Sequence, residues 1–158
     1  MFLSILVLLN TGICLSQAHE EGPATGELKV EGKHIQKLVF QYKGRKTEKF
    51  DNPGESIKLS AGEYQLREVH LEGGYVSRLG ITSGRWKTVD KDKPTVLKVG
   101  APLKQTVRAQ RRKNLLVFNY ELLGVGGGHY VQAQRAKPPQ FAIYSGDKKI
   151  ASGKFEFG

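Results

Sequence analysis

The side chains that could do acid, base, nucleophilic or metal chemistry are four histidines, fifteen aspartates and glutamates and a single cysteine, Cys14. Their spacing assembles no reactive group. His19, His34, His70 and His129 stand apart, with no pair at metal-ligand spacing and no H-E-x-x-H run. Asp90-Lys91-Asp92 is too sparse in oxygen ligands for a calcium loop. No serine occupies a G-x-S-x-G elbow. The glycine run Gly124-Val125-Gly126-Gly127-Gly128 is followed by His129-Tyr130-Val131. A phosphate loop needs Lys-Ser/Thr and a helix there, so a flexible inter-strand loop is expected instead. The expectation is a protein that is not an enzyme, with no catalytic residue, no metal and no cofactor.

What the chain has in excess is positive charge. Lys and Arg number 25 against 15 Asp and Glu, a net +10 with a pI near 9.7. Such a surface attracts polyanions, or simply keeps the protein soluble. The cations gather in two clusters. One is Lys43, Arg45 and Lys46 with Lys49, and the other is Arg108, Arg111, Arg112 and Lys113. Brought together they would form a polyanion patch; apart, each is a solvated strand face or hairpin. Trp86, the only tryptophan, lies between Arg85 and Lys87. It packs at a strand edge or offers its ring to a sugar, with Tyr42 and Tyr120 as further stacking surfaces. The partner expected on these grounds is an unknown protein or an acidic polysaccharide.

The N-terminus says where such a partner would be met. Met1 to Ala18 carries no charged side chain; Phe2 to Leu9 is apolar except for Ser4, and Ser16-Gln17-Ala18 ends the segment in small residues. This is a secretory signal pattern over 1–18, too short to span a bilayer as a helix, which needs about 20 residues. Cleavage after Ala18 leaves 140 residues without cysteine and without a transmembrane segment. The expected location is secreted, periplasmic or cell-surface, which argues against intracellular nucleic acid as a partner. With no disulfide available, a core of apolar side chains must hold the domain.

The elements that would position these residues read as short strands. Residues 19–26 form a flexible leader with Gly22, Pro23 and Gly26. Leu38, Phe40 and Tyr42 then alternate with Val39, Gln41 and Lys43; Ile57 with Leu59, and Tyr64 with Leu66, repeat the period of two. Asn52-Pro53-Gly54, Ser60-Ala61-Gly62, Gly73-Gly74 and Ser145-Gly146-Asp147 mark turns. Leu115 to Leu123 is apolar on both faces and reads as a central strand covered on both sides. Phe155 and Phe157 share a face of a last short strand. No window after the signal keeps a 3.6-residue apolar period. Nine to eleven strands at this spacing predict an all-β, antiparallel β-sandwich. Gly100-Ala101-Pro102 divides it into a β-unit over 27–100 and a second over 101–158 packed on the first, or else the two form one continuous sandwich.

Leu59-Ser60-Ala61-Gly62-Glu63-Tyr64-Gln65-Leu66-Arg67-Glu68, followed by Gly74-Tyr75, resembles the L-x-x-G-x-Y-x-L-x-E…G-Y signature of Cna-B/SpaA-like domains. The resemblance implies a prealbumin-like β-sandwich acting as a stalk or spacer on bacterial surface proteins. It also implies that Glu68 could promote an isopeptide bond, with Lys29 as the lysine. The acceptor is missing, because Thr95 to Val99 contains no Asn or Asp and Asn119 is a distant substitute. The C-terminal half, with L-x-F-x-Y-x-L-x-G at Leu116 to Gly124, Pro138-Pro139-x-Phe141 and Ala151 to Gly158, resembles uncharacterised exported bacterial proteins. That likeness implies location and fold only. The resulting expectation is a non-catalytic interaction or scaffold module, with a carbohydrate- or polyanion-binding module as the alternative.

Overall fold

The computed structural model describes residues 23–43, 46–79, 86–134 and 137–156. The expected signal segment 1–18, the first part of the leader, Arg45 and Phe157 lie outside the described residues. The protein is all-β. In chain order the strands are β1 (Thr25–Glu31), β2 (Ile35–Tyr42), β3 (Thr47–Asp51), β4 (Ser56–Ser60), β5 (Gly62–Leu71), β6 (Tyr75–Arg78), β7 (Trp86–Val89), β8 (Thr95–Lys98), β9 (Lys104–Arg112), β10 (Leu115–Leu123), β11 (Val131–Gln132), β12 (Gln140–Ser145) and β13 (Lys148–Lys154). A 3-10 turn, Glu72–Gly74, joins β5 to β6. Among the described residues no helix is long and apolar enough to cross a membrane.

The first eight strands form two sheets. One is β4-β1-β8; the other runs β11-β6-β5-β2-β3, with β7 also pairing β5. The long β5 serves two partners along one edge: Gly62 to Gln65 pair with β7, and Glu68 to Leu71 pair with β6. Every ladder is antiparallel except β1–β8, which is parallel. The leader ends sooner than its composition suggests, since β1 is already paired to β4 at Thr25↔Ser60.

Alternation puts one face of each sheet into a shared core. Leu28 and Val30 of β1, Ile57 and Leu59 of β4 and Leu97 of β8 meet Leu38 and Phe40 of β2, Tyr64, Leu66, Val69 and Leu71 of β5 and Val89 of β7. Burying each such side chain stabilises the fold by about 1.5–3 kcal/mol. The rings engage edge to face, with Phe40 and Phe50 6.0 Å apart and Phe40 and Tyr64 6.2 Å apart. The arrangement of two sheets over one core is consistent with a β-sandwich. The segment carrying the Cna-B-like pattern is the β4–β5 corner: Leu59, Tyr64 and Leu66 are core residues on the two sheets, and the Tyr64 hydroxyl donates to the Ser60 carbonyl at 3.0 Å.

The chain beyond Gly100 is built differently. β9–β10 and β12–β13 are two separate two-stranded ribbons. They meet through a ring cluster with Phe118 5.3 Å from Phe141, Tyr120 5.4 Å from Phe155 and Phe141 5.2 Å from Phe155. No residue of these four strands is buried. Beyond Gly100 the core of the first eight strands receives only Leu103, Leu122 and Tyr130 from the described residues. β11 adds to the edge of β6, and Lys33 bridges Ala101.

One expectation is therefore corrected. Leu115–Leu123 is not a central strand covered on both sides. Among the described residues it is laddered to one strand, β9, and Leu115 and Leu116 are 70% and 54% exposed. The glycine run is also more closely fitted than a loose loop: Gly124 donates to the Gly128 carbonyl at 2.9 Å, Gly127 to the Gly124 carbonyl at 3.0 Å, and Val125 to the Gly100 carbonyl at 3.0 Å.

Candidate functional site

The period of two sorts the β9–β10 ribbon into two faces. Phe118, Tyr120 and Leu122 share one face with Ala109, Val107 and Gln105, their partners in register. The opposite face presents Lys104, Arg108 and Arg112, each four residues from the next and so about 13 Å apart along the strand. Thr106, Gln110, Asn119 and Glu121 share that face. All three cations are exposed, and Glu121 is the only acid in either strand. Arg108 Nε lies 3.3 Å from Glu121 Oε2, but off the line a hydrogen bond needs, so this oxygen has charge compensation without a hydrogen bond. At the turn, Arg111 Nε donates to the Lys113 carbonyl at 3.2 Å, and Lys113 adopts φ +54°. No acid among the described residues pairs with Arg112 or Lys113.

The charge is concentrated in this part of the chain. Residues 101–158 hold ten Lys and Arg against three Asp and Glu, so +7 of the net +10 falls there. An open groove of about 390 Å³ on β12–β13 adds to it, lined by Lys149 and Lys154 beside Gln140, Phe141, Ser152 and Gly153.

The other basic cluster is placed elsewhere. Lys43 and Lys46 lie at the β2–β3 connection of the larger sheet, and Arg45 is outside the described residues. Lys43 pairs with Glu63, whose hydrogen bond and charge raise the lysine pKa above 10.5. No strand pairing brings the two clusters together. Trp86 is 47% exposed and sits opposite Gln65 at the start of β7. Gln65 is buried and accepts a hydrogen bond from Arg67 Nη1 at 3.3 Å.

The residues implicated in an isopeptide are kept apart. Lys29 is exposed on the outer side of β1, between core residues Leu28 and Val30. Glu68 belongs to the other sheet, where it stands opposite Val39 after a bulge in β5 at Arg67. Its partners are His70 Nε2 at 2.8 Å and Arg78 Nε at 3.9 Å. This acid–imidazole pair escaped the reading of the sequence. The signal was the two-residue spacing within a strand, which puts both groups on one face. A carboxylate hydrogen-bonded to an imidazole and near a guanidinium forms a polar surface contact. Among the described residues no group of three or more His, Cys, Asp or Glu could hold a metal.

Comparison with protein-family models, with curated proteins and with solved structures finds no match.

Proposed function

We propose that the protein is a secreted, non-catalytic β-sandwich binding module, and that the β9–β10 ribbon is its contact surface for an acidic polysaccharide. The observation that carries this reading is the exposed face of β9, where Lys104, Arg108 and Arg112 recur on one side of the strand with Glu121 as the sole acid. A row of cations along an extended strand suits an extended polymer better than a compact ligand, because each charge meets a different repeat of the chain. The groove between Lys149 and Lys154 offers a second track on the neighbouring ribbon. The sandwich of β1–β8 is then the rigid base, in keeping with the spacer role implied by the Cna-B-like pattern at its β4–β5 corner. The apolar, uncharged residues 1–18 support export.

The test is retention of the protein on dextran sulfate and on alginate, with unmodified dextran as the neutral control, at low and moderate salt. Retention on the two acidic polymers that fades with salt supports the reading. Equal retention on all three shifts the contact to Trp86. No retention on any of them rejects a polysaccharide ligand and leaves a protein partner for the module.

A further inference from the structure

Strand β10 lacks the features that keep a free sheet edge from pairing. Among the described residues it is laddered only to β9, and on its other side only Leu122 and Leu123 find backbone partners, at Tyr130 and His129. From Leu115 to Tyr120 no described residue pairs with that edge. The stretch contains no charge, no proline and no glycine, and its register with β9 runs without a bulge. Free edges in soluble proteins are ordinarily blunted by lysine, proline or a bulge. The side chains add to the exposure. Leu115 projects from one face at 70% exposure and Leu116 from the other at 54%, with Val107, on the Leu116 face of β9, at 52%.

The two edges of the ribbon differ in charge. β9 carries Lys104, Arg108, Arg111 and Arg112, so pairing two β9 edges would set cation against cation. β10 carries only Glu121, already beside Arg108. Its uncharged stretch from Leu115 to Tyr120 can face a copy of itself without like charges meeting.

We infer that β10 pairs antiparallel with β10 of a second copy about a two-fold axis, giving a four-stranded sheet ordered β9-β10-β10-β9. An isologous contact of this kind closes on itself and stops at the dimer. It satisfies the open backbone edge and withdraws Leu115 and Leu116 from water. It leaves the cationic β9 strands outermost, three strand spacings or about 14 Å apart, where two rows of cations could engage one polymer. The pairing stands on β10 and the polysaccharide contact on β9, so either can fail without the other.

Sedimentation velocity of the full chain over a range of micromolar concentrations tests the inference. A reversible monomer–dimer equilibrium is expected. Leu115→Lys with Leu116→Lys should weaken it by about tenfold or more with unchanged circular dichroism, while Arg112→Ala should leave it intact. A wild-type chain that stays monomeric, or a dimer indifferent to the two leucine substitutions, overturns it. Hydrogen exchange on the unsubstituted protein gives an independent reading should the variant fail to fold. The amides between Leu115 and Tyr120 that point away from β9 should gain protection as concentration rises, and concentration-independent exchange there overturns the pairing.

Discussion

The Tyr130 hydroxyl accepts a hydrogen bond from the Gly100 amide at 2.9 Å, thirty positions back along the chain, while its ring, 4% exposed, packs into the core of the first eight strands. This side chain ties the segment after β10 to the core of the first eight strands and to the Gly100 backbone. Tyr130→Phe leaves the buried Gly100 amide without its partner and should cost about 1–3 kcal/mol. Tyr130→Ala removes the ring as well and should cost about 3–5 kcal/mol. Urea denaturation monitored by fluorescence distinguishes these values from the near-zero change expected of a surface tyrosine.

The same residue makes a prediction for alkaline pH. Burial pushes the Tyr130 phenol above its ordinary value of 10.0, against a smaller lowering by the Gly100 amide. The folded-state pKa is raised, so the protonated phenol favours the folded protein. That contribution is complete below pH 10.0 and is lost as pH climbs through the raised value. Tyr64 and Tyr120 shift upward through burial too. Stability should therefore fall with pH above 10.0, and the fall should be shallower in Tyr130→Phe. An identical slope in the two proteins would show that Tyr130 ionises as freely folded as unfolded.

The glycine run is tested by a pair of substitutions. Gly126 has φ +83°, and an added Cβ would run into the carbonyl oxygen of Lys98 at the end of β8. Gly127 has φ +80°, with nothing within 4 Å of the same position. Gly127→Ala should cost only the left-handed strain, about 1–2 kcal/mol. Gly126→Ala adds a collision with backbone and should cost more. Thermal unfolding of the two variants gives the ordering.

Phe141 touches both Phe118 and Phe155 and is the hub of the ring cluster between the ribbons. Because no residue of those strands is buried, Phe141→Ala should loosen β12 and β13 without unfolding the sandwich. Hydrogen exchange should speed up in Gln140–Lys154 and stay slow in β2 and β5. Uniform acceleration across all strands would mean that the ribbons and the sandwich unfold as one unit.

Much of the first half was legible where a strand has one dry face, as β1 and β4 do. The alternation at Leu38–Phe40, Ile57–Leu59 and Tyr64–Leu66 names residues that are core in the structure. Even there the bulge at Arg67 was hidden, since an inserted residue leaves no mark on a pattern read one strand at a time. The second half was misread for a physical reason. An apolar face in sequence states a demand for burial, not where burial is met. In Leu115–Leu123 that demand is met only in part among the described residues: Leu122 reaches the core and Phe118 and Tyr120 the ring cluster, while Leu115 and Leu116 stay exposed. The basic cluster around Arg108 was visible as composition. Its division between the two faces of the ribbon, with Arg108 and Arg112 on one and Arg111 on the other, needed the strand register, and its separation from Lys43 and Lys46 needed the sheet topology.

The most direct measurement is the salt dependence of dextran sulfate binding by the protein and by its Lys104→Ala/Arg112→Ala variant. Each cation that contacts the polymer releases a counterion, so removing two should lower the log–log slope by about two and weaken binding at every salt concentration. Circular dichroism should be unchanged, because both side chains are exposed. A variant that binds as tightly as the parent, with the same slope, would remove the β9 face from the contact.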